Sequence, residues 1–132
     1  AKQILVTPKN KLKECGLSSN KLATIIEIAN QEENEELDNR EGFEVMSDNQ
    51  IIQKLTKIKG IGEWTAQMLM IFNLGKLDIF PVGDFALKKN YSLFKNIASP
   101  ISMKNLSKIS EEWRPFRSIA AWYLWKYKLK SC

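Results

Sequence analysis

The stretch Leu55-Thr56-Lys57-Ile58-Lys59-Gly60-Ile61-Gly62-Glu63-Trp64-Thr65-Ala66 constrains this chain more than any other. It sets apolar helical runs on either side of a glycine-bounded turn, so the chain has to reverse direction there. Gly60 and Gly62 permit positive φ and let another backbone approach closely. Ile61 between them is expected to pin the turn to the core. Upstream, Ser47-Asp48-Asn49-Gln50 fits a capping box with Ser at the N-cap. The helix that it opens carries Ile51, Ile52, Leu55 and Ile58. Downstream, a helix is predicted from about Glu63 to Leu74, followed by Gly75. Its Trp64, Ala66, Met68, Leu69, Met70, Ile71, Phe72 and Leu74 are apolar around nearly the whole circumference, so it is expected to be central and buried. The amides that open this second helix are unpaired and point outward at the positive end of its dipole, which makes them a ready anion site. Glycine spacing alone equally describes a purely structural turn.

The rest of the chain is also helical in period, with no alternating strand run, and the predicted class is all-α, a helical bundle containing the helix-hairpin-helix. Pro8 is expected at the first position of a short helix that Gly16 ends as a left-handed cap. A helix over about 19–31 carries the stripe Leu22, Ile25, Ile26 and Ala29. Residues 32–46 are read as a solvated acidic loop. Residues 77–83 are extended, Asp84 begins a helix through about Phe94, another lies near 102–112, and Pro115 opens the last, through roughly residue 128.

At 132 residues and 44% hydrophobic, the chain fits a single soluble domain. No apolar run has membrane-spanning length, and the N-terminal apolar stretch is too short for a signal peptide. Cys15 and Cys132 show neither metal-ligand nor redox spacing and read as free thiols. There is no histidine, which excludes Ser-His-Asp and Cys-His catalysis and histidine-ligated zinc. Charge is uneven: residues 1–30 carry net +3, residues 31–48 net −7 and residues 49–132 net +9. The basic C-terminal two thirds would attract a polyanion such as nucleic acid, although a lysine-rich solvated surface has the same composition.

The string from Leu55 to Ala66 resembles the signature of the helix-hairpin-helix DNA glycosylase superfamily. There an apolar-x-Gly-apolar-Gly turn precedes a polar residue, a variable residue, Thr and Ala. The segment Asp78-Ile79-Phe80-Pro81-Val82-Gly83-Asp84-Phe85-Ala86-Leu87 is similar to the superfamily's Gly/Pro…Asp segment. Trp113-Arg114-Pro115-Phe116-Arg117-Ser118-Ile119-Ala120-Ala121-Trp122-Tyr123-Leu124-Trp125 resembles the C-terminal helix entry of the 3-methyladenine DNA glycosylase II branch. The match is good from about Leu55 to Trp125 and loose over Leu12 to Ala29. Family domains begin well upstream of Ala1, with helices that complete the core and carry a wedge residue, so 1–132 is expected to be a partial domain.

The resemblance implies a base-excision repair enzyme acting on double-stranded DNA with a damaged base, as a monomer and away from membranes. It would work in the nucleoid of a prokaryote or the nucleus of a eukaryote. It places the catalytic carboxylate at Asp84, where an isolated aspartate would read as a helix N-cap. Cutting an N-glycosidic bond builds oxocarbenium charge on the sugar, which a fixed carboxylate stabilises. Alkylated purines already carry positive charge and leave readily, so a site without histidine suffices. Asp78, the nearest competing carboxylate, is read as a loop residue. The base pocket would be lined by Trp64 and Trp125, with Met68 and Tyr123 near in spacing. Trp113 and Trp122 are expected in the core. Bifunctional relatives place a Schiff-base lysine where this chain has Trp64, so no lyase activity is expected.

Phosphate contacts would come from Lys59, Gly60, Gly62 and Thr65, Lys59 standing where the family usually has Pro. No cofactor is implied beyond a sodium or potassium ion on the backbone carbonyls of Thr56, Ile58 and Ile61. An iron–sulfur cluster would need four cysteines. Two other readings share some of these features. A non-catalytic helix-hairpin-helix DNA-binding module would keep the hairpin and the basic charge without needing the Asp84 segment. A helical interaction protein would keep only a structural turn.

Overall fold

The computed structural model describes residues 1–127, and these divide into two compact units, Ala1–Ala66 and the residues from Gln67 onward. No strand occurs among the described residues.

The first unit contains α1 (Lys2–Val6), α2 (Lys9–Glu14), α3 (Ser19–Glu33), α4 (Arg40–Glu44), α5 (Asp48–Leu55) and the first turn of α6 (Glu63–Phe72). Helix α3 is its spine. Ser18 caps it by accepting the Lys21 amide, it buries Leu22 and Ala29, and α1 and α2 pack on it. Pro8 stands at the N-cap of α2, one place before the expected position, and Gly16 takes the left-handed conformation at φ +82°. The capping box of α5 forms with both halves present, Ser47 Oγ on the Gln50 amide and Gln50 Oε1 on the Ser47 amide.

The acidic stretch is not all solvated loop. Helix α3 runs on to Glu33, and α4 forms because Asn39 caps it through the Gly42 amide. An Arg40–Glu44 pair spans one turn, and Phe43 gives α4 something to bury. Lys54 of α5 ties in the same stretch through Asp38.

The second unit holds the rest of α6, α7 (Phe85–Phe94), α8 (Met103–Ser110), a 3-10 turn at Glu111–Trp113 and α9 (Arg117–Lys126). Its core is Phe80, Leu87, Tyr91, Leu106, Ala121 and Leu124, with α7 packed on α9. Asn90 Nδ2 donates to the Leu124 carbonyl at 2.8 Å and fixes that pairing. Pro115 does not open the last helix: α9 begins two residues later, at Arg117, with Phe116 as its N-cap. The expected end near residue 128, and Cys132, lie outside the described residues.

Helix α6 departs from the all-round burial expected of it. Ala66, Gln67 and Met70 are buried along one stripe, whereas Trp64 is 50% and Phe72 63% exposed. An apolar circumference calls for neighbours on every side, and the described residues cover only part of it.

Candidate functional site

The hairpin is built entirely within the first unit. Helix α5 ends at Leu55 with Thr56 as its C-cap, whose hydroxyl donates back to the Ile52 carbonyl at 2.7 Å. Ile58, the apolar residue that anchors the turn, is 4% exposed. Ile61, expected to do this, is only half-buried. The Ile61 amide closes the turn onto the Ile58 carbonyl at 3.0 Å. Gly60 takes φ +95°, and a Cβ there would run into the Thr24 hydroxyl, whereas Gly62 has open space around it. The first bond of α6 runs from the Ala66 amide to the Gly62 carbonyl, so Gly62 stands where the helix begins. Lys59 and Thr65 are exposed around the turn.

Asp84 lies in the second unit, at the N-cap of α7, and is 9% exposed. Its Oδ1 accepts the Leu87 amide at 2.9 Å, while its own amide donates to the Pro81 carbonyl across a tight turn. Ile79, Phe80 and Pro81, leading into that turn, are buried. The segment ahead of them is held from the start of α9. The Ser118 amide donates to the Leu77 carbonyl at 2.8 Å, its hydroxyl donates to the Lys76 carbonyl at 2.7 Å, and its Oγ accepts the Ile79 amide at 2.9 Å. Arg117 adds bonds to both the carboxylate and the carbonyl of Asp78.

Asp78 is therefore a structural carboxylate. The Arg117 hydrogen bond holds its carboxyl below the ordinary value, against the opposing effect of burial. Arg114 does the same for Glu111, and both arginines bridge the two acids.

The aromatic residues separate into three groups. Trp113 packs on Phe80 and Tyr91, at centroid distances of 5.4 and 6.0 Å, and belongs to the core as expected. Trp125 is partly buried against the same core and tilts onto Phe72 at 5.8 Å. Trp122, expected in the core, is instead 46% exposed. It meets Tyr123 edge-on and lines an open groove of about 400 Å³ with Phe72, Leu77 and Ile119. Ala121 and Leu124 mark the buried side of α9, and Trp122 lies roughly 100° around the helix from the first and about 160° from the second. Phe72 is the aromatic that sequence reasoning missed. Its signal was spacing: Trp64, Met68 and Phe72 recur every fourth residue along one face of α6.

Charge follows the same division. Residues 1–66 hold nine bases against eleven acids, net −2, and residues 67–132 hold eleven bases against four acids, net +7. No group of three or more His, Cys, Asp or Glu among the described residues could hold a metal ion.

No protein-family model matches the sequence. The chain is 38% identical over 125 residues to the alkylbase DNA glycosidase-like protein mag2 of Schizosaccharomyces pombe, covering 95% of this chain and 59% of that protein. It is 36% identical over 115 residues to DNA-3-methyladenine glycosylase 1 of the same yeast, covering 87% and 50%. Among solved structures, the S. pombe 3-methyladenine DNA glycosylase Mag1 in complex with abasic DNA superposes with TM-score 0.90 at 34% identity, over 95% of this chain and 61% of that one. A DNA-3-methyladenine glycosidase from Bacillus halodurans gives TM-score 0.81 at 34% identity, over 95% and 57%.

The chain belongs to the helix-hairpin-helix DNA glycosylase superfamily. It spans 50% to 61% of the length of these relatives.

Proposed function

We propose that this protein is a monofunctional DNA N-glycosylase that releases alkylated purines of the 3-methyladenine type from double-stranded DNA. The observation that carries this reading is Asp84. A carboxylate with only 9% of its surface exposed stands at the end of a loop clamped by Arg117 and Ser118. A plain surface cap needs neither the burial nor the clamp. Relatives that align with 87% and 95% of the chain are named 3-methyladenine DNA glycosylases.

Asp84 stabilises the oxocarbenium charge that grows at the sugar as the base departs, or orients the water that attacks it. A fixed carboxylate is worth most in a site that excludes bulk water. The hairpin amides of Gly60, Gly62 and Thr65, with Lys59, hold a backbone phosphate and set the register. The flipped base stacks on aromatic faces, for which Trp64, Trp125, Met68 and Tyr123 are the candidates, now joined by Phe72. A cationic base gains further from electron-rich rings.

No cofactor is needed for this chemistry. A sodium or potassium ion would be held by the carbonyls of Thr56, Ile58 and Ile61. Neutral oxygens suit a monovalent cation, and the Ile58 carbonyl already accepts the Ile61 amide with one of its lone pairs. The protein works as a monomer on DNA, in the nucleoid or the nucleus. No helix among the described residues is long and apolar enough to cross a membrane.

The test is release of labelled 3-methyladenine, hypoxanthine or uracil from duplex DNA by the protein and by Asp84→Asn. Release of the alkylated base by the first and not the second is the expected result. Equal turnover by both removes Asp84 from the chemistry. Binding without release by either leaves the non-catalytic DNA-binding module as the reading.

A further inference from the structure

We propose that Thr24, on α3, is a positioning residue for the phosphate-binding hairpin; this rests on the hairpin reading above. The Thr24 hydroxyl lies 3.0 Å from the Lys59 carbonyl, 35 residues along the chain, and 3.0 Å from the Asn20 carbonyl one turn back in its own helix. Its single hydrogen is shared between them. The bond to Asn20 is one that helical threonines make routinely. The bond to Lys59 is tertiary, and it grips the peptide plane that joins Lys59 to Gly60.

That plane decides where the hairpin amides point. Gly60 is at φ +95°, outside the range that L residues adopt easily. The amides that follow, of Ile61 and then of Gly62, take their direction from the planes before them. The Ile61 amide turns inward to the Ile58 carbonyl, and the chain then enters α6 from Gly62. Fixing one plane on each side of Gly60 sets both soft torsions of that residue, so the chain reaches Ile61 from a defined direction.

Thr24 also explains the glycine. A Cβ at Gly60 would overlap the Thr24 Oγ1 and press on its Cβ and Cγ2. The two residues form a lock in which one supplies the hydroxyl and the other the space for it. Thr24, Gly60 and Lys59 also line one cavity of about 440 Å³ with Asn20, Ala23 and Glu27. Water can reach the Lys59 carbonyl from there, so losing the hydroxyl would loosen the turn without leaving a buried acceptor stranded.

The experiment compares Thr24→Val, which keeps the shape and removes the hydroxyl, with Thr24→Ser, which keeps the hydroxyl. Three quantities are read on the whole protein: affinity for a duplex carrying an abasic-site analogue, single-turnover base release at saturating protein, and amide hydrogen exchange of Ile61 and Gly62 without DNA. Thr24→Val is expected to weaken binding about fivefold, the factor set by one hydrogen bond. Its loss should fall on affinity rather than on the saturated rate, and its Ile61 amide should exchange faster. Thr24→Ser should bind within about twofold of the unaltered protein. Unaltered affinity and exchange in Thr24→Val, or a Thr24→Ser as weak as Thr24→Val, overturns the proposal. If the unaltered protein has no affinity for DNA, the hairpin reading fails, and the exchange of Ile61 still decides whether Thr24 orders the turn.

Discussion

Arg117 holds Asp78 at two levels, its Nε bonding the carboxylate at 2.7 Å and its Nη2 the backbone carbonyl of the same residue at 2.8 Å. A side chain that grips both ends of one residue fixes the path of the chain there, and that path leads six residues on to Asp84.

Breaking this contact has a defined acid signature. With side-chain exposures of 16% for Arg117 and 26% for Asp78, the pair is only partly screened. Asp78→Asn should cost about 2 kcal/mol at pH 7, read from urea unfolding. The folded-state carboxyl titrates below its ordinary value of 3.8. Its contribution is therefore complete above that range and lost as pH falls through the lowered value. The unaltered protein should lose this stability only below about pH 4, and Asp78→Asn should lack that portion of the acid slope. A variant as stable as the original at pH 7 would show that the clamp is decorative.

The two hairpin glycines should behave oppositely. Gly60→Ala forces a side chain into positive φ and into Thr24, at a cost of at least about 2 kcal/mol in unfolding free energy. Rotating Thr24 away relieves the overlap but gives up its bond to Lys59. Gly62→Ala meets nothing within 4 Å, so its unfolding midpoint should be unchanged. Where a phosphate approaches the backbone, the added methyl matters, and the affinity of Gly62→Ala for DNA should fall about tenfold, roughly one lost phosphate hydrogen bond. Full affinity in Gly62→Ala would mean that nothing docks closely at the hairpin.

Trp64 stands on the first turn of α6, half exposed. An indole forms no Schiff base, so the product of base release should be an intact abasic site. On a denaturing gel, cleaved strands should appear only after alkali or heat. Strand breaks formed by the protein without either treatment would require an amine nucleophile elsewhere in the chain.

What the sequence revealed and what it hid divide by distance along the chain. The Ser47–Gln50 box, the Gly16 cap and the Asp84 cap are settled by residues three or four apart, so spacing announces them. Thr24 with the Lys59 carbonyl, Arg117 with the Asp78 carbonyl and Ser118 with the Lys76 carbonyl are 35, 39 and 42 residues apart. Each is a polar side chain meeting a loop backbone, which leaves no periodic trace. Helix α4 was hidden differently: the density of acids around it spoke for solvent, while its signals were a lone Phe43 and the Asn39 cap. The apolar run of α6 correctly announced a helix. It could not tell Met70, fully buried, from Trp64 and Phe72, which stand at the surface.

Asp84 caps α7 as well as carrying the proposed chemistry, and the two roles separate by substitution. Its Oδ1 accepts the Leu87 amide at 2.9 Å. Asparagine keeps an acceptor oxygen at that position and is itself a favoured cap, whereas alanine removes it. Asp84→Asn should therefore unfold close to the unaltered protein, and Asp84→Ala should lose about 1 kcal/mol. Both should lose base release by at least about a hundredfold, because neither carries the negative charge that meets the oxocarbenium ion. Single-turnover release and urea unfolding on the same preparations supply both numbers. If release instead followed stability, falling in Asp84→Ala and surviving in Asp84→Asn, the residue would be a helix cap and the charge-stabilising group would have to be sought elsewhere.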